Sequence, residues 1–284
     1  MKKEVYKKML TLFRDKWLQE IFEEDGFYGD PASSLIPGDL VSSSVVKSKQ
    51  TGIFCGESII HELCQFTKMQ SWEIMKKDGD PLRLDDQIAV ITGFVPDILK
   101  LERILLNLVA FACGIATKTR QYVDLVEPYG VHLLDTRKTL PGYRKLSKYA
   151  VRAGGGWNHR FSLSDLIMLK DNHVTILGGI KPALAKLNEI NRQAYIRTEI
   201  EVANLKQALE ALAYSPDIIM LDNFTPEGVK EAILRIRGKS LIEVSGGITL
   251  QNITSYAEAK PDFISTGQIT QNVQPIDINM KLAL

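Results

Sequence analysis

The second half of the chain restricts the fold more than any other feature. Short apolar runs recur at residues 131–134, 166–169, 198–202, 218–221, 241–244 and 263–265. From the third onward they lie about twenty residues apart, as in repeated βα units. Helical patterns fill the intervals at residues 182–192, 205–214, 226–237 and 253–259. Such units pair their strands in parallel, either in a barrel or in a doubly wound sheet. The residues just past each run choose between these. They are Asp135-Thr136-Arg137-Lys138, Lys170-Asp171-Asn172, Glu201, Asp222-Asn223, Ser245-Gly246-Gly247 and Ser265-Thr266-Gly267. A barrel brings all of these ends to one mouth. A doubly wound sheet gathers only those near its switch point, and usually carries a glycine fingerprint after its first strand. No such fingerprint is present, so the sequence predicts an α/β barrel.

The first half reads differently. Met9, Leu10, Phe13, Trp17, Leu18 and Ile21 recur with a helical period, which predicts an amphipathic opening helix over residues 5–24. Turn residues fill positions 26–38. Strand-like runs come next at 40–46, 52–55, 70–75 and 88–94, and predict a small, mostly antiparallel sheet over about residues 37–95. Residues 98–122 form a long helical pattern, in which Gly114 marks a close packing contact or a break.

Composition excludes several classes of function. The chain has 284 residues, 45% of them hydrophobic and 24% charged, enough for two domains with sizeable cores. A net charge of +1 gives no global attraction to nucleic acid or to an anionic membrane, so any basic site is local. Cys55, Cys64 and Cys113 lack CxxC spacing, which argues against a disulfide framework and a structural zinc site. Buried apolar thiols are expected instead. No apolar run is long enough for a membrane span, and Met1-Lys2-Lys3-Glu4 is not followed by the apolar stretch of a signal peptide. A cytoplasmic location is expected.

Against this near-neutral background, Arg137, Lys138, His159, Arg160 and Lys170 make a dense cationic set. It flanks Gly154-Gly155-Gly156, where backbone could approach a ligand closely. Arginine offers a planar fork to a carboxylate and lysine a point charge, so the set implies an anionic substrate. Glu201 and Asp222 end neighbouring strands and could hold ribose hydroxyls or Mg²⁺ through oxygen. Their plainer alternatives are an ion pair across the barrel floor and a helix N-cap. Ser245-Gly246-Gly247 and Thr266-Gly267 expose N–H groups of the kind that grip phosphate after the last barrel strands, or else form tight turns. No Ser/His/acid triad order and no HExxH spacing is present.

The segments 135–142, 154–160 and 169–173 resemble those of quinolinate phosphoribosyltransferase. So do Glu102-Arg103-Ile104-Leu105-Leu106-Asn107, Gly114-Ile115-Ala116-Thr117, Leu221-Asp222-Asn223 and Glu243-Val244-Ser245-Gly246-Gly247-Ile248-Thr249. A molybdenum-transport-associated paralogue, the ModD group, shares much of this pattern. The resemblance implies an α/β fold: an open α/β barrel of the type II phosphoribosyltransferase kind with an N-terminal α+β domain. It implies a barrel over residues 109–269, and a first domain over 1–108 that the tail from about 270 to 284 joins. It further implies a homodimer or higher oligomer, Mg²⁺, and transfer of phosphoribose from phosphoribosyl pyrophosphate to quinolinate. The products would be nicotinate mononucleotide, pyrophosphate and CO₂.

By this resemblance Arg137, Lys138, His159, Arg160 and Lys170 surround the quinolinate carboxylates, and Arg103 reaches them from a partner subunit. Lys138, Lys170, Glu201 and Asp222 are the implied catalytic residues, with Glu201 and Asp222 near the ribose and the metal. Ser245, Gly246, Gly247, Thr266, Gly267 and Gln271 are the implied phosphate grip. Two positions depart from the family pattern. Pro31 follows Gly29-Asp30 where the family usually shows Gly-Asp-Ile-Thr-Thr, and Gln271 stands where the family shows His. A neutral amide implies a weaker phosphate grip. Three other readings remain open here: a paralogue with a different acceptor, a binding protein without turnover, and a Schiff-base aldolase using Lys170.

Overall fold

The computed structural model describes residues 12–26, 29–191 and 196–283. The chain divides into two compact units. One comprises Met1–Thr119, Pro141–Gly155 and Val273–Leu284; the other comprises Arg120–Leu140 and Gly156–Asn272. The expected boundary at 108/109 falls inside a continuous helix, Val95–Val126.

The first unit is built on an antiparallel sheet. Its strands are β1 (Val41–Ser48), β3 (Ser71–Ile74), β5 (Gln87–Phe94) and β12 (Ile278–Ala283), in the order β12-β1-β5-β3. A separate two-stranded ribbon pairs β2 (Gly52–Ile53) with β4 (Pro81–Leu82). Strand alternation buries Ser44, Val46 and Ser48 of β1 on one face. All four strand runs expected between residues 40 and 94 form. The antiparallel pairing of β12 with β1, from Ser43 opposite Ala283 to Ser48 opposite Ile278, has no counterpart among the strands read from the sequence.

The opening helix is Asp15–Glu24; its expected part before Leu12 lies outside the described residues. Helix Glu57–Phe66, absent from the sequence reading, buries Ile59, Ile60, Leu63 and Cys64. Its N-terminus is satisfied from a distance, because the Asp78 carboxylate accepts from the N–H groups of Gly56 at 2.7 Å and Glu57 at 3.2 Å. No local capping residue announces it. Gly114 lies within Val95–Val126, which continues through it without a break. A Cβ there would sit 2.4 Å from the Gln274 carbonyl oxygen, so the glycine serves close packing.

The second unit carries the six parallel strands expected from the repeat. They are β6 (His132–Leu134), β7 (Ile167–Leu169), β8 (Thr198–Val202), β9 (Ile218–Asp222), β10 (Leu241–Ser245) and β11 (Phe263–Ser265). Their order is β6-β11-β10-β9-β8-β7, so the first two strands of this unit are its two edges. Among the described residues, only an isolated parallel bridge, Leu134 to Trp157, stands beside β6 away from β11. The sheet is strongly curled. His159 reaches Glu199 of β8 at 3.2 Å and Glu243 of β10 at 3.5 Å. Residues at both edges also line one cavity, Met168 of β7 with Thr136 and Arg137 past β6, whereas in a flat sheet these edge strands would lie roughly 24 Å apart. The fold is therefore an open α/β barrel joined to an antiparallel α+β unit.

Helices Ile180–Asn191, Leu205–Leu212, Pro226–Ile236 and Ile253–Ala257 occupy the expected intervals. Arg144–Ala153, Asp171–Ile176 and Gln268–Gln271 are additional helices. No helix among the described residues is long and apolar enough to cross a membrane. The three cysteines are free and buried. Burial pushes the Cys64 and Cys113 thiols up to about 12, and lifts that of Cys55 well above its ordinary value. None is a poised thiolate.

Candidate active site

A cavity of about 670 Å³ lies at the carboxyl ends of the parallel strands, within the second unit. Arg137, Lys138, His159, Arg160 and Lys170 line it, with Glu201, Asp222, Ser245, Gly246, Gly247, Thr266, Gly267 and Gln271. Every site residue expected from the sequence therefore lines this cavity except Arg103. Arg103 is exposed on helix Val95–Val126 of the first unit.

The cationic wall is held by one buried acid. Asp135, just past β6, accepts from the Asn158 amide at 2.6 Å and from the His159 N–H at 2.9 Å. Trp157 N–H donates to the Leu133 carbonyl at 2.8 Å, and Asp135 N–H to the Trp157 carbonyl at 3.1 Å. The loop is thereby zipped alongside β6, and His159 and Arg160 come next at fixed positions. Arg160 Nη1 donates to the Leu166 carbonyl at 3.2 Å. Arg137 Nε is buried and has no hydrogen-bond partner in the protein. Burial, then the charge of Arg137, holds Arg160 below the usual guanidinium range. Two guanidiniums that oppose one another in a half-buried wall call for an anion between them.

The glycine run plays a different part from the one expected. Gly154, Gly155 and Gly156 do not line the cavity. A Cβ on Gly154 would sit 2.5 Å from the Ala116 carbonyl oxygen and 2.6 Å from Thr119 Cβ. The first glycine of the run is thus needed for packing against a helix rather than for ligand approach.

Just past β7, Lys170 Nζ is paired with Glu201 at 2.9 Å. A half-exposed, ion-paired ammonium is the reverse of the desolvated amine a Schiff-base aldolase requires. Burial, then the charge of Glu201, pushes the Asp222 carboxyl up. Thr225, not Asp222, caps the next helix, accepting from Gly228 N–H at 3.1 Å. This leaves both acids facing the cavity on neighbouring strands. Two crowded hard-oxygen groups suit a divalent cation or a cationic sugar.

The glycine turns close the far side. Gly246 has φ +91° and Gly247 φ +61°. Asn223, itself at φ +56°, donates its N–H to the Ser245 carbonyl at 2.9 Å and ties the two strand ends together. At Gly267 a Cβ would meet Gln271 Oε1 at 2.6 Å and Lys138 Cδ at 3.0 Å, so glycine there lets both side chains close in. Gln271→His at this position is expected to tighten binding of a phosphate-bearing ligand by at most about tenfold below pH ~6. That range comes from about 0.5–1.5 kcal/mol for a neutral hydrogen bond against about 1.5–3 for a charged one. The gain should vanish at high pH, where imidazole is uncharged. Calorimetric titration with ribose 5-phosphate across pH checks this. An affinity unchanged at every pH would place residue 271 away from the phosphate.

The sequence reading missed the floor of the site. Glu199 and Glu243 are fully buried and meet His159 Nε2 from β8 and β10. The signal was available, since Glu199 and Glu201 are two residues apart on one strand and share a face.

A curled parallel sheet with paired guanidiniums, two acids and glycine turns at one mouth defines a barrel enzyme for anionic substrates. Comparison with known proteins narrows the class. Residues 32–113 match the family model for the quinolinate phosphoribosyl transferase N-terminal domain, and residues 115–281 the C-terminal domain. The probable nicotinate-nucleotide pyrophosphorylase [carboxylating] of Bacillus subtilis is 38% identical over 270 residues, covering 95% of this chain and 93% of that protein. Its counterpart in Archaeoglobus fulgidus is 38% identical over 265 residues, covering 90% and 98%. The crystal structure of NadC from Streptococcus pyogenes superposes with a TM-score of 0.89 at 35% identity, covering 95% of this chain and 96% of that one. The chain belongs to the quinolinate phosphoribosyltransferase family.

Proposed function

We propose that this chain joins quinolinate to the phosphoribosyl group of phosphoribosyl pyrophosphate and removes one carboxylate as CO₂, yielding nicotinate mononucleotide for NAD biosynthesis. The observation that carries the reading is the pair Arg137 and Arg160, whose charges oppose one another, lining one cavity with the acid pair Glu201 and Asp222. A dianion with adjacent carboxylates satisfies the first wall, and a sugar that becomes cationic in the transition state satisfies the second.

Arg137 and Arg160 grip the two carboxylates, and Lys138 adds positive charge beside the glycine turns. The ring nitrogen then faces the anomeric carbon. As pyrophosphate leaves, positive charge develops at the ribose, where Asp222 and Glu201 stabilise it. Ser245, Gly246, Gly247 and Thr266-Gly267 hold the ribose phosphate through backbone N–H groups. Once alkylated, the ring nitrogen draws electrons, and the adjacent carboxylate departs as CO₂. Glu201 and Asp222 would also hold Mg²⁺, because their crowded oxygens suit a hard cation. When bound, it would neutralise charge on the departing pyrophosphate.

The test is turnover with quinolinate, phosphoribosyl pyrophosphate and Mg²⁺, with nicotinate as the rival acceptor. Stoichiometric CO₂ and pyrophosphate from quinolinate alone is the expected result. Binding without turnover, or turnover only with another acceptor, would overturn it.

The same reading makes the working unit a homodimer, with Arg103 completing a partner's cavity. Its exposure on Val95–Val126 supports this. Arg103→Ala and Lys138→Ala chains, each inactive alone, should recover about a quarter of the wild-type rate when mixed and re-associated. Random pairing makes about half of the dimers hybrids, each with one intact site. Hybrids shown to form but lacking activity would contradict a shared site.

A further inference from the structure

Beneath the cationic wall lies a group of side chains that the mechanism above does not use. Glu199 and Glu243 are both fully buried, and none of their four carboxylate oxygens makes a well-aligned hydrogen bond. His159 Nε2 stands between them, at 3.2 Å from Glu199 and 3.5 Å from Glu243. The state of the ring is set from its other side. His159 Nδ1 accepts the Arg160 backbone N–H at 2.7 Å, so the ring hydrogen resides on Nε2 and points at the carboxylates. A lone pair for a metal ion is therefore not available at Nε2, and the cluster is arranged to hold protons.

Two carboxylates that share one N–H in a dry interior cannot both stay ionised without severe cost. Burial, then the Glu199 charge, pushes the Glu243 carboxyl up to about 8, against the opposing pull of His159, Ser265 and Lys170. Glu243 is thus an acid near neutral pH. It is also connected to the cavity. The Ser265 hydroxyl, itself buried and without a well-aligned partner, lies beside the Glu243 carboxyl, and Ser265 lines the cavity together with His159. Of the lysines at the mouth, Lys170 is already engaged with Glu201.

We propose that Glu243 stores the proton that the ring requires after losing CO₂, and delivers it through the Ser265 hydroxyl. This rests on the decarboxylating reading above. In that step the ring carbon–carboxylate bond breaks and CO₂ leaves without the bonding pair. The pair remains on the ring carbon, held by the adjacent alkylated nitrogen, and returns to CO₂ unless it is protonated, so net CO₂ release waits on the proton. The pair takes the Ser265 hydroxyl proton as Ser265 takes that of Glu243. Glu243 is left as a carboxylate and regains a proton from solvent once product departs. The His159 N–H at 3.5 Å orients Glu243, and the Glu199 charge favours its protonated form. Glu243 is a positioning and proton-supplying residue acting through Ser265, not one that touches the substrate.

The test reads CO₂ and pyrophosphate release separately across pH, on the full chain with both substrates and Mg²⁺. Wild type should lose CO₂-release rate as pH rises through about 8, since the store empties as Glu243 ionises. Glu243→Gln keeps shape and hydrogen bonding but has no proton to give. It should slow CO₂ release by ~100-fold, the usual weight of a general acid. Quinolinate affinity should hold, pyrophosphate should run ahead of CO₂, and the pH dependence near 8 should disappear. Ser265→Ala should show the same pattern with Glu243 intact, and decides the matter if Glu243→Gln does not fold. Retention of the wild-type limb near 8 in both variants would overturn the proposal. So would parallel loss of quinolinate binding and CO₂ release, which indicates that Glu243 only orients His159. A wild type that releases neither product would instead sink the functional reading.

Discussion

Arg137→Ala is expected to lower kcat/KM for quinolinate by about 10²–10³-fold, while KM for phosphoribosyl pyrophosphate changes by less than about threefold. Removing one partner of a desolvated ion pair costs ~3–5 kcal/mol, and each ~1.4 kcal/mol is tenfold. The lower part of that range applies because Arg137 is only partly buried. The unpartnered Arg137 Nε is the physical basis: on the proposed function, this donor without a protein acceptor takes one that arrives with the substrate. Loss of the group should not weaken the fold. Arg137 depresses Arg160, so its removal relieves repulsion in the free protein. Steady-state kinetics on both substrates and a thermal melt check this together. Equal losses for the two substrates, or a melting temperature lowered by several degrees, would show that Arg137 serves structure or the whole site.

The parallel unit was legible because its strands are buried on both faces and read as short continuous apolar runs. Thr198–Val202 and Phe263–Ser265 lie where the sequence places them. The polar residues just past each strand were legible for the same reason, since charge at the end of a buried strand needs an explanation. Two of the helices that escaped notice depend on a partner distant in sequence or are too short to show a period. Glu57–Phe66 takes its N-terminal acceptor from Asp78, and Gln268–Gln271 is a single turn. β12 carries Asn279 and Lys281 among its apolar residues and gains its identity only from pairing with β1.

Within the site, residue types pointed to the two walls but not to the floor. Charges at strand ends stand out in a linear reading. Glu199 and Glu243 sit inside apolar strands, where an acid looks like an interruption until curvature brings both to one imidazole. The glycine run failed in the opposite sense. Gly154-Gly155-Gly156 reads as a ligand loop, yet the Ala116 carbonyl oxygen 2.5 Å from a Gly154 Cβ is a demand of packing. Composition alone does not tell a glycine kept for backbone approach to a ligand from one kept for backbone approach to a helix.

Gly246 separates these two demands most sharply. Gly246→Ala is expected to destabilise the protein and to lower use of phosphoribosyl pyrophosphate by about thirtyfold or more. The new Cβ would lie 2.3 Å from Asn223 Oδ1 and 2.7 Å from Asn223 N. Neither contact is tolerable, and the second is to backbone, so Asn223 and the end of β9 must move. Overpacking costs ~1–3 kcal/mol, and a left-handed alanine ~1–2 more. Asn223 is bonded to the Ser245 carbonyl and directly follows Asp222, so the displacement reaches Asp222 and the proposed phosphate turn together. Gly247→Ala supplies the control. Its φ of +61° carries the same left-handed cost, but nothing lies within 4 Å of its Cβ. It should lose only ~1–2 kcal/mol of stability and little catalysis. Melting curves and kinetics for both variants decide the point, and equal behaviour of the two would mean that the contact with Asn223 does not shape the site.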